Sequence, residues 1–165
     1  MAELKLITQD SIPRAFEKAE RYRLLNEPFL AESICLDILA IRENHNDARV
    51  CLVLALADQV AQSVPGTERR AHEEAQRLGT EYERYYYAGI VCERHASALI
   101  RGNAPGSRDA AYHCISEAMR QYERADDLSP PGNEDATLRW NTCLRLIRRH
   151  SLVAPSEDRH EYPIE

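Results

Sequence analysis

At 165 residues the chain fits one domain of ordinary size, large enough to bury about two-thirds of its unfolded surface without metal or disulfide staples. Its 21 basic against 27 acidic residues leave a formal charge of -6, which argues against general nucleic-acid binding, because neutralising phosphates takes a basic face. The longest apolar run, Val50 to Ala57, is too short to span a bilayer, and the N-terminus has no apolar stretch ending in a small-residue cleavage site, so the expectation is a cytoplasmic protein without membrane association.

In chain order, the breakers delimit seven helical segments. "NEP", Asn26 to Pro28, ends the first. The second carries Ala31, Ile34, Cys35, Ile38 and Leu39 at the helical period and stops at "ENHND", Glu43 to Asp47. In the third, "VCLVLALA", apolar residues cover more than one face, which places it inside the stack. "SVPGT", Ser63 to Thr67, and "LGT", Leu78 to Thr80, bracket a short fourth segment. The fifth, "YERYYYAGIVCERHASAL", is again apolar on several sides. After "GNAPGS", Gly102 to Ser107, the sixth shows Ala111, Ile115, Ala118, Met119, Tyr122 and Ala125 at helical spacing. "SPPGNE", Ser129 to Glu134, precedes a last helix from Glu134 to His150.

No β-period alternation occurs, so the fold class is all-α. Short connections predict antiparallel neighbours: first with second, third with fourth, fifth with sixth, the last helix closing the end. The domain is expected over residues 1–150, with 151–165 as a mobile or docked tail. Cys35, Cys51, Cys92, Cys114 and Cys143 lie inside apolar helical runs, the placement of reduced core thiols.

The stretch Ala15 to Ala48 resembles a tetratricopeptide repeat, a helix pair with a period of about 34 residues. Ala19 and Tyr22 match the small and aromatic positions of that family's first helix, and Ala31 the small residue early in its second. In "EAMRQYERADDLSP", Ala118, Tyr122, Ala125 and Pro130 look like the second-helix alanine, aromatic, alanine and terminating proline; Trp140 falls where a following first helix often carries an aromatic. Glu43 stands where proline is usual, and the third and fourth helices fit the pattern poorly. The resemblance implies a right-handed superhelical stack of antiparallel helix pairs with a concave face.

It also implies a protein or peptide partner held in that groove by the first helix of each repeat. Carried over by position, the candidates are Phe16, Glu20 and Arg23 on the first helix and Asn141, Arg145 and Arg148 on the last, with Tyr86 from the cluster Tyr82, Tyr85, Tyr86, Tyr87. Arg145 and Arg148 share a helical face and suit a carboxylate-bearing peptide, since each guanidinium can hold a carboxylate bidentately. The plainer reading of that pair is a solvated cap. Of the four tyrosines, at least Tyr85 or Tyr86 is expected in the core and one outside. The lysine and asparagine clamp that some family members use for C-terminal carboxylates is not evident. The acidic end "EDRHEYPIE" is a further candidate occupant for Arg145 and Arg148.

Cys92 with His95, and His113 with Cys114, bring potential ligands to neighbouring helices, but adjacent residues point about 100 degrees apart on a helix, so no metal or cofactor is expected. The spacings GxSxG, GxxxxGK[ST], HExxH and GxGxxG are absent from the sequence. The expected function is therefore a non-catalytic adaptor or scaffold. A small partner-specific chaperone is the competing class, a helical enzyme or metal protein the third, and an exposed groove also allows a homodimer.

Overall fold

The computed structural model describes residues 2–155, so the expectation that the acidic end meets Arg145 and Arg148 lies outside the described residues. A 3-10 turn, Gln9–Ser11, leads into seven α-helices: α1 (Ile12–Leu24), α2 (Pro28–Ile41), α3 (Asn46–Ala61), α4 (Thr67–Ala75), α5 (Glu81–Gly102), α6 (Ser107–Asp127) and α7 (Asp135–Arg149). There is no strand among the described residues.

The breaks act through local chemistry. Pro13 and Pro28 stand in the first turns of α1 and α2, where a missing N–H costs no hydrogen bond. Thr80 and Glu83 form a reciprocal capping box at the start of α5, and Asn103, in the left-handed region at φ 47°, ends that helix. Asn46 ties two helix starts together: its Nδ2 donates to Glu83 at 2.8 Å and its Oδ1 accepts from the Gly79 N–H at 2.9 Å.

Every helix packs on the next one in sequence, and α3 also packs on α5. The expected pairs are present, but α2 with α3, α4 with α5 and α6 with α7 are in contact as well. The helices thus form one continuous stack. As their all-round apolar character predicts, α3 and α5 lie deepest, burying Cys51, Leu52, Val53, Leu56 and Val60 from one and Ile90, Val91, Cys92 and Ala96 from the other. Small residues stand at the close approaches. Ala19 and Ala31 are fully buried in the first hairpin, and in the α5–α6 hairpin the Tyr122 ring lies directly over Gly89.

Three buried charges are each held across helices, as burial requires. Glu32 of α2 accepts from Gln59 of α3 and from Arg70 of α4. Arg49 of α3 donates to Glu74 of α4 and to the Glu43 carbonyl. Glu93 of α5 accepts from the Tyr122 hydroxyl of α6 at 2.8 Å and pairs with Arg139 of α7 at 3.1 Å. Beyond α7 the chain stays docked: Leu152 is buried, and Arg108 donates to the carbonyls of His150 and Ser151.

Candidate functional site

Phe16, Glu20 and Arg23 recur at three- and four-residue spacing and therefore share a face of α1. That face meets a matching row on α3, and together Phe16, Glu20, Arg23, Asp47, Val50, Cys51 and Leu54 line an open hollow of about 230 Å³. Its floor is apolar: Phe16, Val50 and Leu54 are half-buried and pack on the core, Phe16 also lying 5.6 Å from the His45 ring. Its exposed rim is acidic, supplied by Glu20 and Asp47.

Arg23 is already engaged. Its Nε lies 3.3 Å from Asp58 of α3, whose other carboxylate oxygen faces Arg94 of α5 at 3.7 Å. Neither Nε makes a well-aligned hydrogen bond, so the pairing is electrostatic and links α1, α3 and α5 along one side. Under the hollow, Cys35 of α2 holds its proton: a hydrogen bond to Cys51, and then burial, push its thiol above the ordinary range.

The other predicted residues form separate groups, because α1 packs on α2 and α3 whereas α7 packs on α6. Tyr86 stacks on Tyr82 at 5.6 Å and meets Tyr87 edge-on at 5.2 Å and Tyr122 at 5.9 Å. Tyr85 lies under the Arg124 guanidinium. The division expected within this cluster does not hold: all four tyrosines are half-buried, since rings on successive faces of α5 each lean on a neighbouring side chain and leave an edge in water. Asn141 is half-buried, and Arg145 and Arg148 are exposed on α7. Trp140 is half-buried and donates its indole N–H to Glu123 at 2.9 Å.

The cysteines and histidines pair differently from the set that the sequence brings to mind. His113 is exposed. The contacts run from Cys92 Sγ to His72 Nε2 at 3.9 Å and from Cys114 Sγ to His95 Nδ1 at 3.7 Å, so α4 contributes an imidazole that sequence spacing did not reveal. Burial pushes the Cys92 thiol up to about 12 and the Cys114 thiol up to about 11, and lowers His72, so all three are neutral near pH 7. The nitrogen of His95 nearest Cys114 is also the one 2.8 Å from Glu68, which occupies the position needed to take the thiol's proton. This geometry does not activate Cys114 as a nucleophile.

Among the described residues no group of three or more His, Cys, Asp or Glu side chains is disposed to hold a metal ion, and no described helix is long and apolar enough to cross a membrane. All five cysteines are free. No family model, no curated protein and no solved structure matches the chain.

Proposed function

We propose that the chain is a non-catalytic adaptor of tetratricopeptide-like build, binding a protein or peptide segment in the hollow between α1 and α3. The observation that carries this reading is the hollow itself, an apolar floor of Phe16, Val50 and Leu54 beside two exposed carboxylates. An open, partly apolar furrow on a helical face accepts an extended or helical segment through a few anchoring side chains. Because Arg23 is occupied by Asp58, the charges left to a ligand are Glu20 and Asp47. The favoured segment therefore sets an aliphatic or aromatic anchor beside a lysine or arginine. The carboxylate-bearing ligand that the arginines of α7 suit belongs at Arg145 and Arg148, on the other end of the chain.

Selection from a random peptide library against the wild type and against a Glu20→Lys, Asp47→Lys variant tests the reading. Enrichment of apolar-basic motifs by the wild type, lost in the variant, supports it. Enrichment that is equal in both moves binding away from the hollow.

The chaperone reading has an observation of its own. Leu24, Leu25, Phe29, Leu30 and Leu36 are all exposed around the α1–α2 hairpin, a surface of the kind that covers an apolar client. A chaperone forms a stable one-to-one complex that keeps its client in solution, whereas an adaptor exchanges its peptide readily.

A further inference from the structure

The chain enters its first helix through a short arm. Residues 2–7 carry no helix and make no backbone hydrogen bond among the described residues. The arm is fixed at its root, where Ile7 is half-buried against the cluster of Ile12, Ile38 and Ala48, and the Thr8 carbonyl accepts from Ser11 Oγ at 2.7 Å. Residues 2–6, beyond that root, are all exposed, with Leu4 at 92% and Leu6 at 76%. Two leucines left in water on a free arm are side chains that gain from a partner surface.

The arm and the α1–α3 hollow complement each other in shape and charge. The hollow has an apolar floor of Phe16, Val50 and Leu54 and, at about 230 Å³, room for a leucine side chain. Glu20 and Asp47 on its rim are exposed, and among the described residues neither enters an ion pair. The arm sets Lys5 between its two leucines. In an extended segment alternate side chains face opposite ways, so Leu4 and Leu6 share one side and Lys5 takes the other. The long lysine stem lets its ammonium reach back to a rim carboxylate while the leucines point inwards. Glu3 is the one charge on the arm that works against the rim.

Resting on the reading of the α1–α3 hollow as a peptide site, we propose that the arm of one copy docks in the hollow of a second copy and receives that copy's arm in return. Within one molecule the arm leaves its own hollow open, because Ile7 holds the root on the Ile12, Ile38 and Ala48 cluster while Leu4 and Leu6 stay in water. Exchange makes two identical contacts about a two-fold axis. Once the first arm is seated the second binds as an intramolecular event, so two modest contacts add up to a stable pair.

Sedimentation velocity of the full chain over a concentration series tests this, with substitutions only at exposed positions so that the fold is kept. The wild type should form a dimer, and Leu4→Ser, Leu6→Ser should be monomeric. Lys5→Glu should weaken the dimer roughly tenfold, and so should Glu20→Lys, Asp47→Lys. All three charge changes combined in one chain should restore most of the loss, and Glu3→Lys should tighten the wild-type dimer. A synthetic peptide of residues 2–8 should shift the amides of Phe16, Val50 and Leu54 in the monomeric leucine variant. A monomeric wild type, a dimer that survives the loss of both leucines, or no recovery in the combined charge variant overturns the exchange. A monomeric wild type that binds the peptide more weakly than the leucine variant overturns it in favour of an arm seated in its own hollow. If peptides selected from a library still bind the hollow in any of these cases, the peptide-site reading stands without the exchange; if no peptide binds there, both fall.

Discussion

The first hairpin, α1–α2, and the fifth and sixth helices solve the same packing problem with different results. Both bring helices close through a small residue, Ala19 against α2 in one and Gly89 against Tyr122 in the other. In α5–α6 the approach is locked. Tyr122 is 1% exposed, its ring covers Gly89, its hydroxyl reaches Glu93, and Glu93 in turn holds Arg139. In α1–α2 no comparable polar anchor crosses the pair, neither helix has a side-chain cap, and Leu24 is 80% exposed at the turn. The long hairpin concentrates stability, and the short one leaves apolar surface in water.

The largest expected effect breaks the lock directly. A Cβ at position 89 would stand 2.6 Å from Tyr122 Cε1, and the ring cannot swing aside while its hydroxyl is bound to Glu93. Alanine is the better helix former by about 0.5–1 kcal/mol, but overpacking of a buried ring costs about 1–3 kcal/mol or more. Gly89→Ala should therefore lower stability by about 2 kcal/mol, read from urea unfolding midpoints. An unchanged or raised midpoint would remove the close approach as a determinant.

Glu93→Gln comes second. The amide keeps the shape and one acceptor for Tyr122 but removes the charge facing Arg139, with Glu93 only 7% exposed. A loss of about 1–2 kcal/mol is expected, since a hydrogen bond to a charged group is worth more than a neutral one. The double variant Glu93→Gln, Arg139→Met should recover part of that loss if the ion pair is the cause.

Alkali should then weaken the fold gradually. Burial pushes Cys92 and Cys143 up to about 12 and Cys114 up to about 11, and Tyr87 up to about 12. Each of these groups prefers to stay protonated in the folded chain, so its contribution is complete below the unfolded value, about 8.5 for cysteine and about 10 for tyrosine. It is lost as pH rises from there towards the folded values. Unfolding midpoints should thus fall from about pH 8.5 upwards, and Cys92→Ala should flatten the decline. His72 acts with the opposite sign: burial lowers it, so its contribution is present above about pH 6.5 and is lost as pH falls below that.

How far this contrast was legible in the sequence depends on the kind of signal. Helix number and limits were legible because proline, glycine and capping residues act locally; the segment read as Glu134 to His150 is α7, Asp135–Arg149. The depth of α3 and α5 was legible from apolar residues on several faces. Of the candidate site, Phe16, Glu20 and Arg23 do come together, because one helix face is a matter of spacing. What Arg23 does there was not legible, since Asp58 lies on a different helix and no local rule pairs the two. The same holds for His72 beside Cys92, which meet across α4 and α5.

The smallest expected change in stability carries the most functional weight. Phe29 and Leu36 are exposed at 55% and 45% on the outer side of α2, so replacing both with serine removes little buried contact. Surface substitutions of this kind usually fall within about 0.5 kcal/mol each, and unfolding midpoints should hardly move. Association is a different matter, because apolar area left in water is what a partner or a second copy covers. Sedimentation velocity of the wild type against the double variant reads this directly. A wild-type dimer that the variant loses assigns the α1–α2 surface to self-association. A monomer in both cases leaves that surface to a client, and the hairpin's weaker anchoring then reads as the counterpart of a surface kept open for binding.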